Sequence, residues 1–460
     1  MLRLGENSRK WWVLAAMGAI LGVILLDETV VGVALPTIQI DLDIPEIASH
    51  WVVNVYMLVL ACLAAAAGKL GDIVGHKTLM NLGLLIFGLA SLACGFAESG
   101  SWLIAARGVQ GVGAAIIFPS SLAMVTISFP ENQRGLALGI YGAIGTVFLA
   151  LGPLVGGILT DLASWRWIFW INPPIVLLVA VIVMAAWIDP PHVGEAERVD
   201  KTGFLLLVSG LSMVIFATME GPEWGWTGPA ILLLLIVGAA LLVAFVFVEL
   251  RKSAPLIEVD LFASPTFAAC NLVIFSAQFT KMAVFVFGAV YLQDILKMTP
   301  LMAGLALLPT VAPQPFTAPL SGYVADRFGA RWPSLGGLVF MFAGLAWVGV
   351  AISWNSYALM FPGLLAWGLS MAFLFVPPQR AVMNAVPPGK QGQAGGIAMS
   401  SQLLGATVGM AVCSTLFAMT DDFQVVFLAN AAFALIVLVV GWLTIERRDR
   451  AGAVSAEQAP

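Results

Sequence analysis

Charge is what this chain has least of. Only 10% of its 460 residues are Asp, Glu, Lys or Arg, while 60% are hydrophobic; a soluble domain carries about 25% charged residues. The deficit excludes a soluble globular protein and implies an integral membrane protein. Histidine is almost missing. His50, His76 and His192 fall in predicted loops, so no predicted span holds the clustered bases or metal ligands that a membrane enzyme needs. Cys62, Cys94, Cys270 and Cys413 all sit in apolar segments without CxxC spacing, which argues against a disulfide framework and against a metal site. No long hydrophilic stretch interrupts the apolar runs, as a receptor or scaffold with an extramembrane domain would require. No cleavable leader is expected either, since Trp11–Leu35 is too long for a signal h-region and lacks a small-residue cleavage site.

What the chain does have is long apolar runs, with 46 Gly and 25 Pro among them, a composition that polytopic helical proteins tolerate. At about 20 apolar residues per crossing, fourteen spans are expected, from 11–35 to 423–445. The seventh, 203–219, is the shortest, and the tenth covers 299–323. With the N-terminus inside, the inner loops collect nearly all Lys and Arg, and the outer loops hold only Arg166 and Lys297. The positive-inside rule then puts both termini in the cytoplasm. Trp11 and Trp12 suit one interfacial belt, and Trp51, Trp102, Trp165, Trp224 and Trp226 the other.

The two halves of the chain repeat. Gly68-x3-Asp72-x2-Gly75-x-Lys77 follows the second span, and Gly322-x3-Asp326-x2-Gly329-x-Arg331 follows the tenth, with Arg327 beside Asp326. A second echo relates Gly135-x-Ala137-x-Gly139 to Gly392-x-Ala394-x-Gly396. The expected division is a six-helix bundle over 1–188, a linker with a two-helix insert over 189–265, a second six-helix bundle over 266–445, and a cytoplasmic tail over 446–460. Two parallel repeats with a midplane site are one layout of secondary transporters.

Charges within the spans mark candidate sites, because each costs about 2.5–3.5 kcal/mol on insertion scales. Asp27 and Lys281 stand at the same separation as Gly68 and Gly322. Lys281 lies about 17 Å from the outer end of its helix at 1.5 Å per residue, too deep to reach the headgroups. Glu28 points about 100° away from Asp27 on a 3.6-residue helix. Arg107 lies in the fourth span beside Gly108, Gly111 and Gly113, which favours burial against another helix. Its second-half counterpart is Phe361, so the charge chemistry is asymmetric. Asp72 and Asp326, at Gly-bounded turns, are placed to hold a neighbouring helix N-terminus, worth about 0.3–1 kcal/mol when exposed. Such contacts act as a gate latch if one conformation breaks them.

Together these motifs resemble the major facilitator superfamily, in its fourteen-helix drug:proton antiporter branch. Gly68–Lys77 resembles the superfamily's cytoplasmic loop signature, with His76 where Arg is commoner. Arg107-Gly-Val-Gln110-Gly111-Val-Gly113 resembles the fourth-helix signature. Gly145 with Gly152-Pro153-x2-Gly156-Gly157 resembles the antiporter signature. Leu26–Pro36 and Trp165–Pro173 resemble branch signatures, with Glu28 and Gly32 as departures.

The resemblance implies an all-α polytopic protein of the major facilitator fold: two six-helix bundles related by a pseudo-twofold, plus two extra central helices. It also implies alternating access in a cell inner membrane. Proton coupling would fall to Asp27, Glu28 and Arg107, with substrate contacts at Lys281, Gln110, Gln278 and Trp367. The first and ninth helices line the superfamily's central cavity, so Asp27 and Lys281 would face each other there and pair when it is empty; a permanent structural ion pair is the alternative. The expected partners are protons, the lipid bilayer and an amphiphilic or drug-like substrate, or else an anionic or lipid-like metabolite, as Lys281 with Arg107 suggests. No cofactor beyond the proton gradient, no nucleic acid and a monomeric state are expected.

Overall fold

The computed structural model describes residues 6–190, 200–252, 255–387 and 389–446. The predicted tail beyond Glu446, much of the predicted 189–201 linker, and Arg3, Arg198, Arg447, Arg448 and Arg450 lie outside the described residues. Every long element is a helix. The first six are α1 (Glu6–Asp41), α2 (Trp51–Val74), α3 (His76–Gly95), α4 (Gly100–Ser128), α5 (Arg134–Leu162) and α6 (Asn172–Ala186). Next come α7 (Lys201–Trp224) and α8 (Pro229–Glu249). α9 runs as Pro265–Met282, a π-turn at Ala283–Phe287, and Gly288–Asp294. α10 comprises Pro300–Leu307 and Gln314–Phe328; α11 (Arg331–Ala351), α12 (Tyr357–Asn384), α13 (Gln391–Thr420) and α14 (Phe423–Thr444) follow.

Thirteen helices among the described residues are long and apolar enough to cross a membrane. The exception is the predicted tenth span. Pro309, Pro313 and Pro315 lie at the join of its two pieces, and proline removes an N–H and clashes with the preceding turn. The predicted seventh span, by contrast, is longer than 203–219. Local chemistry sets several helix ends. Ser99, Asp200, Ser264, Thr299 and Asp422 each accept a hydrogen bond from the first turn of the helix that follows, satisfying an otherwise orphaned donor. Gly75 and Gly329, at φ 98° and 76°, end α2 and α10 in a conformation that favours glycine.

One apolar cluster belongs to the last six helices alone, built around Val273, Tyr291, Leu345, Trp367 and Phe427. The larger cluster joins α1–α7 to the later helices, at the end that carries the loop motifs, through Ala318, Val376, Ala394 and Ile397. A third, with Leu26, Val30, Leu103 and Phe169, fills the opposite end of α1–α6. α7 packs on both α2 and α13. Its Ser212 donates to Cys62 Sγ at 3.2 Å, and Phe216 stacks on Trp51 at 5.3 Å. Leu89, Leu177, Leu233, Phe247 and Leu443 are exposed, as suits side chains facing lipid. Trp11, Trp12, Trp102 and Trp224 are also exposed. Trp165 corrects the belt reading: it is buried and donates to Asp41 at 2.9 Å.

Candidate functional site

The charge cage is built by α4. A Cβ at Gly111 would lie 2.8 Å from the Tyr56 carbonyl oxygen, and one at Gly113 2.6 Å from the Phe87 nitrogen. These glycines therefore let α4 touch the backbones of α2 and α3, as small residues do between membrane helices. Arg107, two turns into α4, is consequently 0% exposed. It donates through Nη1 to Asp27 Oδ2 at 2.5 Å and to Gln110 Oε1 at 2.8 Å, and through Nε to the Val52 carbonyl at 2.9 Å. Its guanidinium lies 4.3 Å from the Tyr56 ring centre and 5.8 Å from that of Phe169. Asp27 Oδ1 accepts from Gln110 Nε2 at 3.1 Å and from Asn172 Nδ2 at 3.4 Å. Asn172 also donates to Ser91, which donates to the Phe169 carbonyl. A buried carboxylate thus has a bound cation and two amide donors, the arrangement that makes a buried charge tolerable.

This corrects the expected Asp27–Lys281 pairing. The repeat related α1 to α9, but the cation on Asp27 comes from α4 within the same half, at a position whose counterpart, Phe361, is uncharged. Lys281 is half-buried, with Nζ 5.8 Å from the Phe285 ring centre, and no carboxylate pairs with it among the described residues. It lies two residues before the π-turn of α9, a feature often found at functional sites. Gln278 lies one turn earlier on the same face, 8% exposed, with Oε1 unpartnered. Glu28 is half-buried and has no ion pair or hydrogen bond among the described residues. Two expected substrate contacts are displaced. Gln110 belongs to the Asp27 cage. Trp367 is 1% exposed, donates to Thr280 at 3.3 Å and packs against Phe285, so it lies behind the Lys281 face.

The glycines of the antiporter-like signature press α5 onto α1. A Cβ at Gly152 would overlap Thr29 Oγ1, one at Gly145 would meet Leu21 at 2.6 Å, and one at Gly156 would meet the Val30 carbonyl at 3.2 Å. Pro153 is exposed within α5, and Gly157 meets nothing within 4 Å, so neither serves this close approach. Correspondingly, Cβ atoms at Gly405 and Gly409 on α13 would overlap the α9 carbonyls of Phe275 and Phe279. Each charge-bearing helix therefore has a glycine-faced neighbour.

The duplicated loop motif makes reciprocal contacts. Asp72, near the end of α2, accepts from the backbone N–H of Gly392 and of Gln393, both at 2.8 Å, in the first turn of α13. Asp326, near the end of α10, accepts from Gly135 at 2.8 Å and Leu136 at 2.9 Å in the first turn of α5. Each carboxylate meets the positive end of a helix dipole through charge-assisted bonds. Beneath each, two glycines bring backbones together: Cβ atoms at Gly68 and Gly392 would overlap each other's carbonyl oxygens, as would those at Gly135 and Gly322. His76 Nε2 lies 3.3 Å from Asp72, and Arg380 Nε donates to Asp326 at 2.8 Å.

The basic ends of the motif behave differently from the gating expectation. Lys77 donates to the carbonyls of Met184 and Trp187 at the end of α6. Arg331 donates to those of Trp442 and Ile445 at the end of α14. Each caps a helix C-terminus within its own half. Arg327 is exposed, 5.6 Å from its neighbour Phe328. Sequence reasoning missed Asn172 and Arg380 as site residues. The signal was present: both are polar groups beside prolines in apolar runs, Asn172-Pro173 and Pro378-Gln379-Arg380.

Comparison with known proteins places the chain in a family. Residues 17–269 and 269–460 match the family model described as Major Facilitator Superfamily. The chain is 34% identical over 413 residues to the multidrug resistance protein Stp of Mycobacterium tuberculosis, covering 90% of this chain and 76% of that one. It is 32% identical over 417 residues to the puromycin resistance protein pur8 of Streptomyces alboniger, covering 89% and 82%. Among solved structures, the human organic anion transporter MFSD10 superposes with a TM-score of 0.68 at 14% identity, covering 94% of this chain and 99% of that one; at that identity the likeness shows the fold alone.

Proposed function

We propose that this chain, which belongs to the major facilitator superfamily and is therefore a multi-pass membrane transporter of small molecules and not an enzyme, exports amphiphilic or drug-like compounds in exchange for protons by alternating access. The observation that carries this reading is the Asp27 cage: a buried carboxylate held by Arg107, Gln110 and Asn172, on a helix packed against the antiporter-like face of α5. The resistance proteins it resembles support the substrate class.

A proton arriving from outside neutralises Asp27 and removes the charge pairing to Arg107. The cage then rearranges, and α1 and α4 move with it. Each pH unit of gradient supplies about 1.4 kcal/mol per proton. The paired Asp72 and Asp326 contacts latch the cytoplasmic side, so this conformation faces outward. In this reading α10 is the tenth of fourteen spans despite its break. The six-helix bundles over 1–188 and 266–445 rock about a pseudo-twofold, and α7–α8 ride on the α2–α13 seam. The transporter works as a monomer in the inner membrane, with both termini cytoplasmic.

Proteoliposome efflux under an imposed pH gradient is the test. Asp27→Asn is expected to abolish gradient-driven export while leaving substrate binding within a few-fold; full-rate export by this variant would refute Asp27 as the coupling acid.

A second reading, export of an anionic or lipid-like metabolite, is favoured by Lys281, whose charge has no acid partner among the described residues. Glu28 is an acid within a span that likewise has no ion pair among them. Lys281→Met is expected to weaken transport of anionic amphiphiles by about 10-fold, the value of one charge-assisted contact near 1.4 kcal/mol, and to spare cations. Glu28→Gln is expected to do the reverse. Competitive binding with cationic and anionic dyes reads out the difference.

A further inference from the structure

The junction of α7 and α8 holds a second acid pair, far in sequence from Asp27. Glu249 ends α8 and is 3% exposed; Asp200 caps α7 and is 8% exposed. One oxygen of each is well served. Glu249 Oε2 accepts from the Ile257 N–H at 2.9 Å, and Asp200 Oδ1 takes the Lys252 ammonium and the Thr202 N–H. The other two oxygens, Glu249 Oε1 and Asp200 Oδ2, are buried and lack a donor. They also converge. A Cβ at Gly203 would overlap Glu249 Oε1 and lie 2.7 Å from Asp200 Oδ2, so the absence of a side chain there leaves both oxygens room. Two buried carboxylates in one site cannot both stay charged cheaply, whereas one proton between them satisfies both orphaned oxygens.

We infer that Asp200 and Glu249 form a proton-binding site, separate from the Asp27 cage, that reports cytoplasmic pH to the gate. Lys252 determines which acid holds the proton. Burial raises the Asp200 carboxyl, but the Lys252 ammonium on its Oδ1 opposes this, and Asp200 is held below the usual carboxylate range. Lys252 sits on Asp200, and no cation pairs with Glu249 among the described residues, so the shared proton belongs on Glu249.

The link to the gate runs through the segment before α9. Ile257, which binds Glu249, follows Leu256, whose carbonyl accepts from Gln393 Nε2 at 3.3 Å. Glu258 pairs with Lys390. Gln393 is the residue whose N–H binds Asp72. Besides Lys252, the charged groups nearest this route are the Glu258–Lys390 pair and, from α2, Asp72 with His76. The sign follows from linkage: a proton bound more tightly with the gate shut stabilises the shut state at low cytoplasmic pH, and that stabilisation is lost as pH rises. The gate coupling rests on the transporter reading above; the proton site does not.

The test has two arms. In infrared titration of the purified full-length protein, a protonated-carboxyl band should vanish on alkaline titration. It should be absent from Glu249→Gln and from Asp200→Asn, and retained in His76→Asn. A band that survives both acid substitutions overturns the site. In proteoliposomes at constant pH difference, export by the parent should rise with cytoplasmic pH, by at most about tenfold per unit for one proton. The profile should flatten in Glu249→Gln and persist in His76→Asn. An unaltered profile alongside a lost band overturns the coupling to the gate. Loss of all export in the parent under these conditions would count against the transporter reading and leave the infrared result standing.

Discussion

Arg107→Met is expected to lose about 3–5 kcal/mol of stability and all gradient-driven export. The cost comes from what it leaves behind: Asp27, 2% exposed, would keep two amide donors but no cation, and breaking a buried pair by removing one partner costs this much. The protein has one inexpensive escape, which is to protonate Asp27 permanently. A variant that does so folds but cannot cycle a proton. The decisive comparison is therefore the pair Asp27→Asn with Arg107→Met. Removing both charges is expected to restore most of the thermal stability in detergent, because replacing a whole buried pair with apolar groups is often neutral, and to leave export dead. Equal destabilisation by the single and double substitutions would show that Asp27 does not depend on Arg107.

The second large effect is expected at the proposed latch between Asp72 and the first turn of α13. Asp72→Ala removes two charge-assisted bonds, each worth about 1.5–3 kcal/mol, from the shut state alone. A net loss near 3 kcal/mol moves the equilibrium about 100-fold toward the inward-open state. Gly68→Leu should act the same way by a different cause. Its side chain would have to occupy the space of the Gly392 carbonyl, and overpacking costs about 1–3 kcal/mol. Spin labels at the Asp72 end of α2 and the Gly392 end of α13 measure the result: both variants should show a long-distance population that the parent lacks. Lys77→Met is the control. Its bonds stay within one bundle, so it should lower stability without shifting the label distances. An unshifted distribution in Asp72→Ala would remove the latch role.

Much of this was legible in the sequence. Hydropathy located every long helix, because a bilayer core demands a minimum apolar run from each of them. It misjudged the length of the seventh and the continuity of the tenth, where closely spaced prolines break a run that hydropathy alone reads as unbroken. The duplicated Gly-x3-Asp motif was also readable, since turn glycines and a fixed acidic spacing survive as a linear pattern. Its partner was half visible: the second echo, at Gly135 and Gly392, marks the helix starts that Asp326 and Asp72 grasp, but nothing in the linear pattern joins one motif to the other.

Lys281 shows where repeat reasoning fails. Equivalent positions in two halves need not touch, and the cation on Asp27 came from a position whose equivalent, Phe361, is uncharged. Gln110 and Trp367 failed for a related reason. A polar or aromatic residue in an apolar helix has several neighbours to choose from, and only the packing decides which it meets.

The chain alone determined that it lies in a membrane, how many apolar runs it has, where its backbone must turn, and which few side chains carry charge at depth. These follow from composition and local sterics, which act along the chain. Only the tertiary structure decided that Arg107, and not Lys281, holds Asp27, that Asp72 and Asp326 clasp opposite bundles, and that Asp200 meets Glu249. Such pairings depend on which helices stand side by side. Glycine contacts between distant segments set that, and the order of residues shows the glycines without showing which segment each one meets.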